Sequence, residues 1–220
     1  MSDPLQNRSD ASVEISAEAM HKAEEFIEEE EGAQHKLKGW LAVFLTAVAV
    51  LTTAFHLYAA YGIVPTQQMR AIHVGLVLFL SFLMFPVARR FRHRIMWWDV
   101  ILALLSVVVI VYMLYGGDDF TDRAVTPTQW DRVLGVALIL LVLEAARRTS
   151  GWIMPLVCVL FIAYAMAGPW LPAPWTHRGY DVYRLIGHMY MTLEGIFGVA
   201  VDVSATLIIL FTIYGAFLQF

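Results

Sequence analysis

The sequence predicts an all-α, polytopic integral membrane protein, with about six transmembrane helices preceded by a cytosolic amphipathic helix. Three observations predict it. Of the 220 residues, 59% are hydrophobic and 15% charged, and the mean hydropathy is +0.63, which is far more apolar than a soluble domain of this length requires. Apolar runs recur at 40–61, 71–87, 98–115, 133–146 (extended on either side), 152–167 and 199–220, each near the roughly 20 residues that a helical span needs. Trp40, Trp97, Trp98, Trp130, Trp152, Trp170 and Trp175 all fall at or just outside the ends of these runs, where an amphipathic indole prefers to sit. The runs lack the alternation of a barrel strand, and backbone groups in hydrocarbon must be satisfied within their own segment, so the spans are helices.

Residues 1–36 form an acidic, cytosolic tail. Ten of the nineteen carboxylates lie before residue 32, so the net charge of -4 describes the tail and not the membrane part. Within it Ile15, Ala19, Ala23, Phe26 and Ile27 recur at helical spacing, with Ser12 or Ser16 placed to cap and Gly32 to stop. The run Glu28-Glu29-Glu30-Glu31 stands at the unfavourable pole of the helix dipole. It reads as a solvated stretch or as a dock for a basic cytosolic loop. Residues 1–6 show no basic stretch followed by a short apolar core, so the first span is expected to act as its own insertion signal.

Basic residues orient the spans. Lys36, Lys38, Arg89, Arg90, Arg92, Arg94, Arg147 and Arg148 fall on one side, against Arg70, Arg123, Arg132, Arg178 and Arg184 on the other, which predicts a cytosolic amino terminus. The stretch 116–122 is then expected to be an external loop, as is the proline-rich turn 168–175. Asp118, Asp119 and Asp122 in the first, with His177 and Arg178 after the second, read as plain solvated loop or as docking points for an external partner protein. The last run is still apolar at Phe220, and the chain is expected to continue beyond it.

Ionisable groups inside spans are the candidates for chemistry. Glu144 lies three and four residues before Arg147 and Arg148, on one helical face, and reads as a structural ion pair that snorkels at the helix end. Asp99, at the amino-terminal end of its span, suits the helix dipole. His56 and His73 are placed to face each other across the first external turn. A haem site is one reading of the pair; bonding to backbone or headgroups is the simpler one, because no second pair lies at the other side to relay electrons. Glu194, Asp202, Ser204 and Thr206, interleaved with Gly195 and Gly198, read either as a broken helix around a transported solute or as an interfacial mechanical link. The single cysteine, Cys158, allows no internal disulfide or thiolate cluster and reads as a packing residue. No phosphate loop, metalloprotease helix or nucleophile elbow is present, so no enzyme activity, metal or nucleic-acid partner is expected.

Several motifs resemble one family. They are Glu28-Glu29-Glu30-Glu31-Gly32, Arg70-Ala71-Ile72-His73-Val74-Gly75, Leu141-Val142-Leu143-Glu144-Ala145-Ala146-Arg147-Arg148, His177-Arg178-Gly179-Tyr180, Thr192-Leu193-Glu194-Gly195-Ile196-Phe197-Gly198-Val199, Val203-Ser204-Ala205-Thr206 and Gly215-Ala216-Phe217-Leu218. Together they are similar to the fused permeases of TRAP (tripartite ATP-independent periplasmic) transporters of the TAXI type. The resemblance implies that residues 37–148 are a four-helix small-subunit-like membrane domain and 149–220 the first helices of the large permease subunit. It implies the scaffold portion of a secondary transporter in a bacterial or archaeal inner membrane, a symporter of small carboxylates with a sodium or proton as coupling ion and no other cofactor. Its partners would be a periplasmic solute-binding protein, membrane lipid and the remainder of the permease. The family's substrate hairpins would lie beyond Phe220, so no substrate-binding residue is carried over. A tryptophan-glutamate-glutamate motif of free-standing small subunits is missing here. A non-catalytic assembly subunit and a haem-binding membrane anchor are the alternatives.

Overall fold

The computed structural model describes residues 19–20, 22–23, 37, 39–88, 91 and 95–219. The expected amphipathic helix and the basic residues Lys36, Lys38, Arg89, Arg90, Arg92 and Arg94 lie largely or wholly outside them. All regular elements among the described residues are helical: α1 (Trp40–Tyr61), α2 (Thr66–Met84), α3 (Trp97–Asp122), α4 (Gln129–Ser150), α5 (Ile153–Ala167), α6 (Val182–Ile186) and α7 (Val199–Leu218). Five helices are long and apolar enough to cross a membrane: α1, α2, α3, α5 with its extension to Trp170, and α7. The protein is an all-α, multi-pass membrane protein. The remaining long helix, α4, has 22 residues and so about 33 Å of length, but it carries Asp131, Arg132, Glu144, Arg147 and Arg148.

Local chemistry explains the boundaries. Pro86 forces Phe85 into an extended conformation and ends α2. Thr128 caps α4 with its hydroxyl while Asp131 reaches back to the Thr128 N–H, a reciprocal capping box. Gly151 breaks the chain between α4 and α5 at φ 78, in the left-handed region that glycine favours. The domain boundary expected after residue 148 thus falls within the last turn of α4.

One expectation is corrected. The stretch 116–122 is not an open loop: after a kink at Gly117 (φ 52) the chain resumes a helical turn to Asp122. Phe120 supplies the reason, since its ring is fully buried edge-on against Tyr112 and Tyr190, with centroids 6.1 and 5.0 Å away. Asp118, Asp119 and Asp122 stand on the exposed side of that turn.

The core follows helical periodicity. On α2, Ala71, Val74, Leu78 and Phe82 form one buried stripe, facing Ala103, Val109, Ile110 and Met113 of α3. The buried stripe of α4 runs Asp131, Gly135, Leu138, Leu141, Ala145 and Arg148, apolar in the middle and charged at both ends. Residues 182–198 complete the core from the Asp131 end. α6 passes into a single π turn, Gly187–Met191, and inserts Tyr190 beside α3, where its hydroxyl donates to the Val109 carbonyl at 2.7 Å. The chain then folds back, with Ile196 N–H on the Met189 carbonyl at 2.9 Å. Such a re-entrant segment is tolerated only where protein satisfies its backbone, as the Ile196–Met189 bond does in part. Gly135 and Gly187 make the approach possible: a Cβ at Gly135 would meet Ile186 Cγ2 at 2.5 Å, and one at Gly187 would overlap the Ala124 carbonyl.

Candidate functional site

Polar chemistry concentrates where α7 meets α1 and α2. The first two turns of α7 carry Asp202 and Ser204, and a π turn at Ser204–Ile208 interrupts the helix there, a feature that often marks functional positions. Arg70, on the first turn of α2, donates through Nε to Asp202 Oδ1 at 3.0 Å, and through Nη1 to the carbonyls of Phe197 at 2.8 Å and Leu193 at 3.4 Å. One guanidinium therefore holds both the fold-back turn and the start of α7.

One helical turn further in lies a chain of four partners. The Nδ1 of His56 lies 2.7 Å from the Thr52 carbonyl, its Nε2 is 2.9 Å from His73 Nδ1, and His73 Nε2 is 3.1 Å from Ser204 Oγ. The carbonyl can only accept, so His56 Nδ1 carries a proton and donates. With both rings neutral, His73 Nδ1 then donates to His56 Nε2, and the Ser204 hydroxyl donates to His73 Nε2. Both rings are buried, at 1% and 6% exposure. All four ring nitrogens are engaged with protein atoms, which favours the hydrogen-bonded reading of this pair over iron ligation. Among the described residues, no group of three or more metal-ligating side chains occurs.

The four residues that the sequence groups together separate in space. Asp202 and Ser204 turn toward α2, Thr206 donates to the Asp202 carbonyl of its own helix, and Glu194 is exposed on the fold-back turn. Gly195 sits where a Cβ would lie 2.5 Å from Met189 Cα, so the glycine serves the close fold-back. This arrangement supports the mechanical-link reading over a solute cradle. Replacing Arg70 by Gln is expected to loosen α7 by about 1 kcal/mol, a modest loss because Asp202 is 40% exposed. Hydrogen exchange should quicken at residues 193–204 and stay unchanged in the buried turns of α3.

Two ionic clusters fasten α3 to α4 at opposite ends. At the first, Glu144 binds Arg147 at 2.7 Å and Arg148 at 2.8 Å, so the structure brings the expected triad together. Arg148, however, does not snorkel: its side chain is 0% exposed and donates to Asp99 Oδ1 of α3 at 2.7 Å, and to the Phe85 carbonyl at 3.0 Å. Asp99 keeps its capping role as well, accepting from Met96 N–H at 3.0 Å. Arg147 instead reaches the Val87 carbonyl and stacks on Trp152, 5.2 Å from its centroid. The Arg148–Asp99 pair is not legible in the sequence, because 49 residues separate the partners and no local periodicity joins them.

At the other end, Asp131 is completely buried and collects five hydrogen bonds: two from Arg123, one from Tyr112, and two from the N–H and hydroxyl of Thr128. The Asp131 carboxylate raises the pKa of Arg123, which lies beyond the end of α3, above its ordinary value. The capping signature Thr128-x-x-Asp131 was the available signal for this site.

The expected docking residues lie on two segments, with Asp118, Asp119, Asp122 and Arg178 exposed and His177 half-buried. No hydrogen bond or ion pair joins Asp118, Asp119 or Asp122 to His177 or Arg178 among the described residues. His177 is a structural residue, with Nε2 donating to the Tyr164 carbonyl at 3.1 Å and Nδ1 accepting from Gly179 N–H at 3.1 Å. Compared with known proteins, the chain matches no family model, no curated protein and no solved structure.

Proposed function

We propose that this chain is the scaffold portion of a TRAP-type secondary transporter permease. In this reading it anchors a symporter of small carboxylates, driven by a sodium or proton gradient and served by a periplasmic solute-binding protein, in a bacterial or archaeal inner membrane with the amino terminus cytosolic. The family assignment rests on the resemblance of the motifs from Arg70 to Gly75, Leu141 to Arg148 and Thr192 to Val199.

One observation carries the scaffold reading. The fully buried charged side chains among the described residues, Asp99, Arg148 and Asp131, are spent on holding helices together, Asp99 with Arg148 and Asp131 with Arg123, and Arg70 ties α2 to Asp202. A transport site needs polar groups that can exchange partners with a solute, whereas these are committed to ion pairs. The arrangement suits a part that stays fixed in lipid while another part moves.

The test is reconstitution. Proteoliposomes holding residues 1–220 alone, given a sodium or proton gradient and the binding protein, are expected to take up no more carboxylate than protein-free liposomes. Uptake above that background overturns the scaffold reading.

A further inference from the structure

Between α4, α5 and the re-entrant segment runs a groove of about 310 Å³ with an almost wholly carbon lining, including Val142 and Leu143, Phe161 and Ile162, and Leu185 and Met189. Cys158 stands in its wall as well, so it lines the groove and is not packed in the core. From Cys158 to Ala165 the groove follows α5 for about 10 Å. A second, more open cleft of about 780 Å³ lies beside the same two helices. On α5, Ala165 lines the groove and Met166 the cleft; on α6, Leu185 lines the groove and Arg184 the cleft. The two cavities therefore draw on neighbouring residues of the same pair of helices, one lined almost wholly by carbon and the other carrying charged side chains.

The cleft carries two exposed guanidinium groups, Arg178 and Arg184. Neither has a hydrogen-bond or ion-pair partner among the described residues. The one carboxylate in the cleft, Asp181, is occupied in capping α6 through the Tyr183 N–H at 3.3 Å. Both ring nitrogens of His177 are already engaged, with the Tyr164 carbonyl and the Gly179 N–H. Two arginines against one aspartate leave the cleft positive.

A free anion would satisfy the arginines and leave the groove empty, whereas a neighbouring helix would fill the groove and strand two guanidinium groups at its apolar edge. A phospholipid with an anionic headgroup satisfies both. We propose that this is a binding site for such a lipid, with one acyl chain in the groove and the phosphate held by Arg178 and Arg184. Guanidinium forks match phosphate oxygens in bidentate geometry, and basic pockets between membrane helices are a recurrent way of reading lipid headgroups. The inference needs only that the protein crosses a membrane and is independent of the transporter reading.

Lipid retention tests it. The purified full chain is exchanged into detergent with phosphatidylglycerol or with phosphatidylcholine of the same acyl chains, and bound lipid is counted by native mass spectrometry. Retention of phosphatidylglycerol is expected to be roughly tenfold the stronger, because phosphatidylcholine offers the same phosphate but its choline cation opposes the two guanidinium groups. Equal retention of the two lipids overturns the proposal, as it would if a protein helix closed the groove. Glycerol phosphate, which has the headgroup chemistry without chains, is expected not to compete at equal concentration; full competition by it makes this a free-anion site and overturns the lipid reading. The double variant Arg178→Gln/Arg184→Gln should lose the preference, and Ala165→Phe, which fills the mouth of the groove, should reduce retention of both lipids. Unchanged retention in either variant, with melting temperature and helical circular dichroism like the parent, contradicts the assignment. The comparison on the unaltered chain stands even if a variant fails to fold.

Discussion

Arg148→Met is expected to destabilise the protein by about 3–5 kcal/mol, the cost of leaving a buried charge without its partner. The side chain is 0% exposed and its partner Asp99 is 1% exposed, so no water is available to either to replace the lost bond. The substitution also strands the Phe85 carbonyl, which Arg148 satisfies at 3.0 Å just where Pro86 ends α2. Three helices therefore lose a common fastening, since Arg148 belongs to α4, Asp99 to α3 and Phe85 to the end of α2. Glu144 keeps Arg147 as a partner, so the loss should centre on Asp99. Removing the stranded charge should then restore much of the stability. In Asp99→Asn/Arg148→Met the asparagine oxygen still accepts from Met96 N–H, and the double variant is expected to be more stable than Arg148→Met alone. Thermal unfolding in detergent, followed by circular dichroism, measures both; a double variant no better than the single one would mean that the stranded Asp99 charge is not the source of the loss.

At the opposite end, Asp131→Ala is expected to cost about 3 kcal/mol or more. Five donors lose one acceptor at once: Arg123 twice, Tyr112 and Thr128 twice. The loss has two parts that different variants separate. Thr128→Ala removes the cap and should cost about 1 kcal/mol, whereas Arg123→Gln leaves a buried carboxylate short of its counter-charge and should cost more. Tyr112→Phe removes a single hydrogen bond and should also cost near 1 kcal/mol. Fluorescence from Trp130, next to the cap and exposed, gives a local reading of whether the Asp131 end opens before the remainder of the bundle. Equal cost for Asp131→Ala and Thr128→Ala would show that only the cap matters and that the ion pair contributes nothing.

The apolar framework of the fold is legible in the sequence because hydrocarbon permits so few solutions: a run of the right length must be a helix, and tryptophan and proline mark its ends. The start of α5 follows in this way from Trp152, whereas the apolar run 71–87 passes over Pro86, just before which α2 ends. What one-dimensional reading does not supply is pairing across helices. Asp99 reads locally as a dipole residue and Arg148 as a snorkelling one. Each reading is sensible within its own turn, and the fact that they meet emerges only when α3 and α4 lie antiparallel. Likewise the glycines and aspartates of 116–122 read as a loop, because Phe120 gives no sign of the two rings, Tyr112 and Tyr190, that draw it inward. His56 and His73 are the opposite case. Their approach is visible from their positions on either side of a short turn, but the third member, Ser204, lies 131 residues from His73 and decides what the pair is doing. The carbonyl of Thr52 at one end and the hydroxyl of Ser204 at the other turn a candidate ligand pair into a fastening between α1, α2 and α7.

In the proposed scaffold these helices form a single fixed body. Spin labels at Leu57 on α1 and Phe211 on α7, both exposed, report on the junction held by Arg70, His73 and Ser204. Double electron–electron resonance on the chain in lipid bilayers, measured with and without a sodium or proton gradient and a small carboxylate with its binding protein, should give one narrow distance distribution that does not change. A second distance that appears with the gradient or the carboxylate would show α7 moving against α1, and would contradict the scaffold.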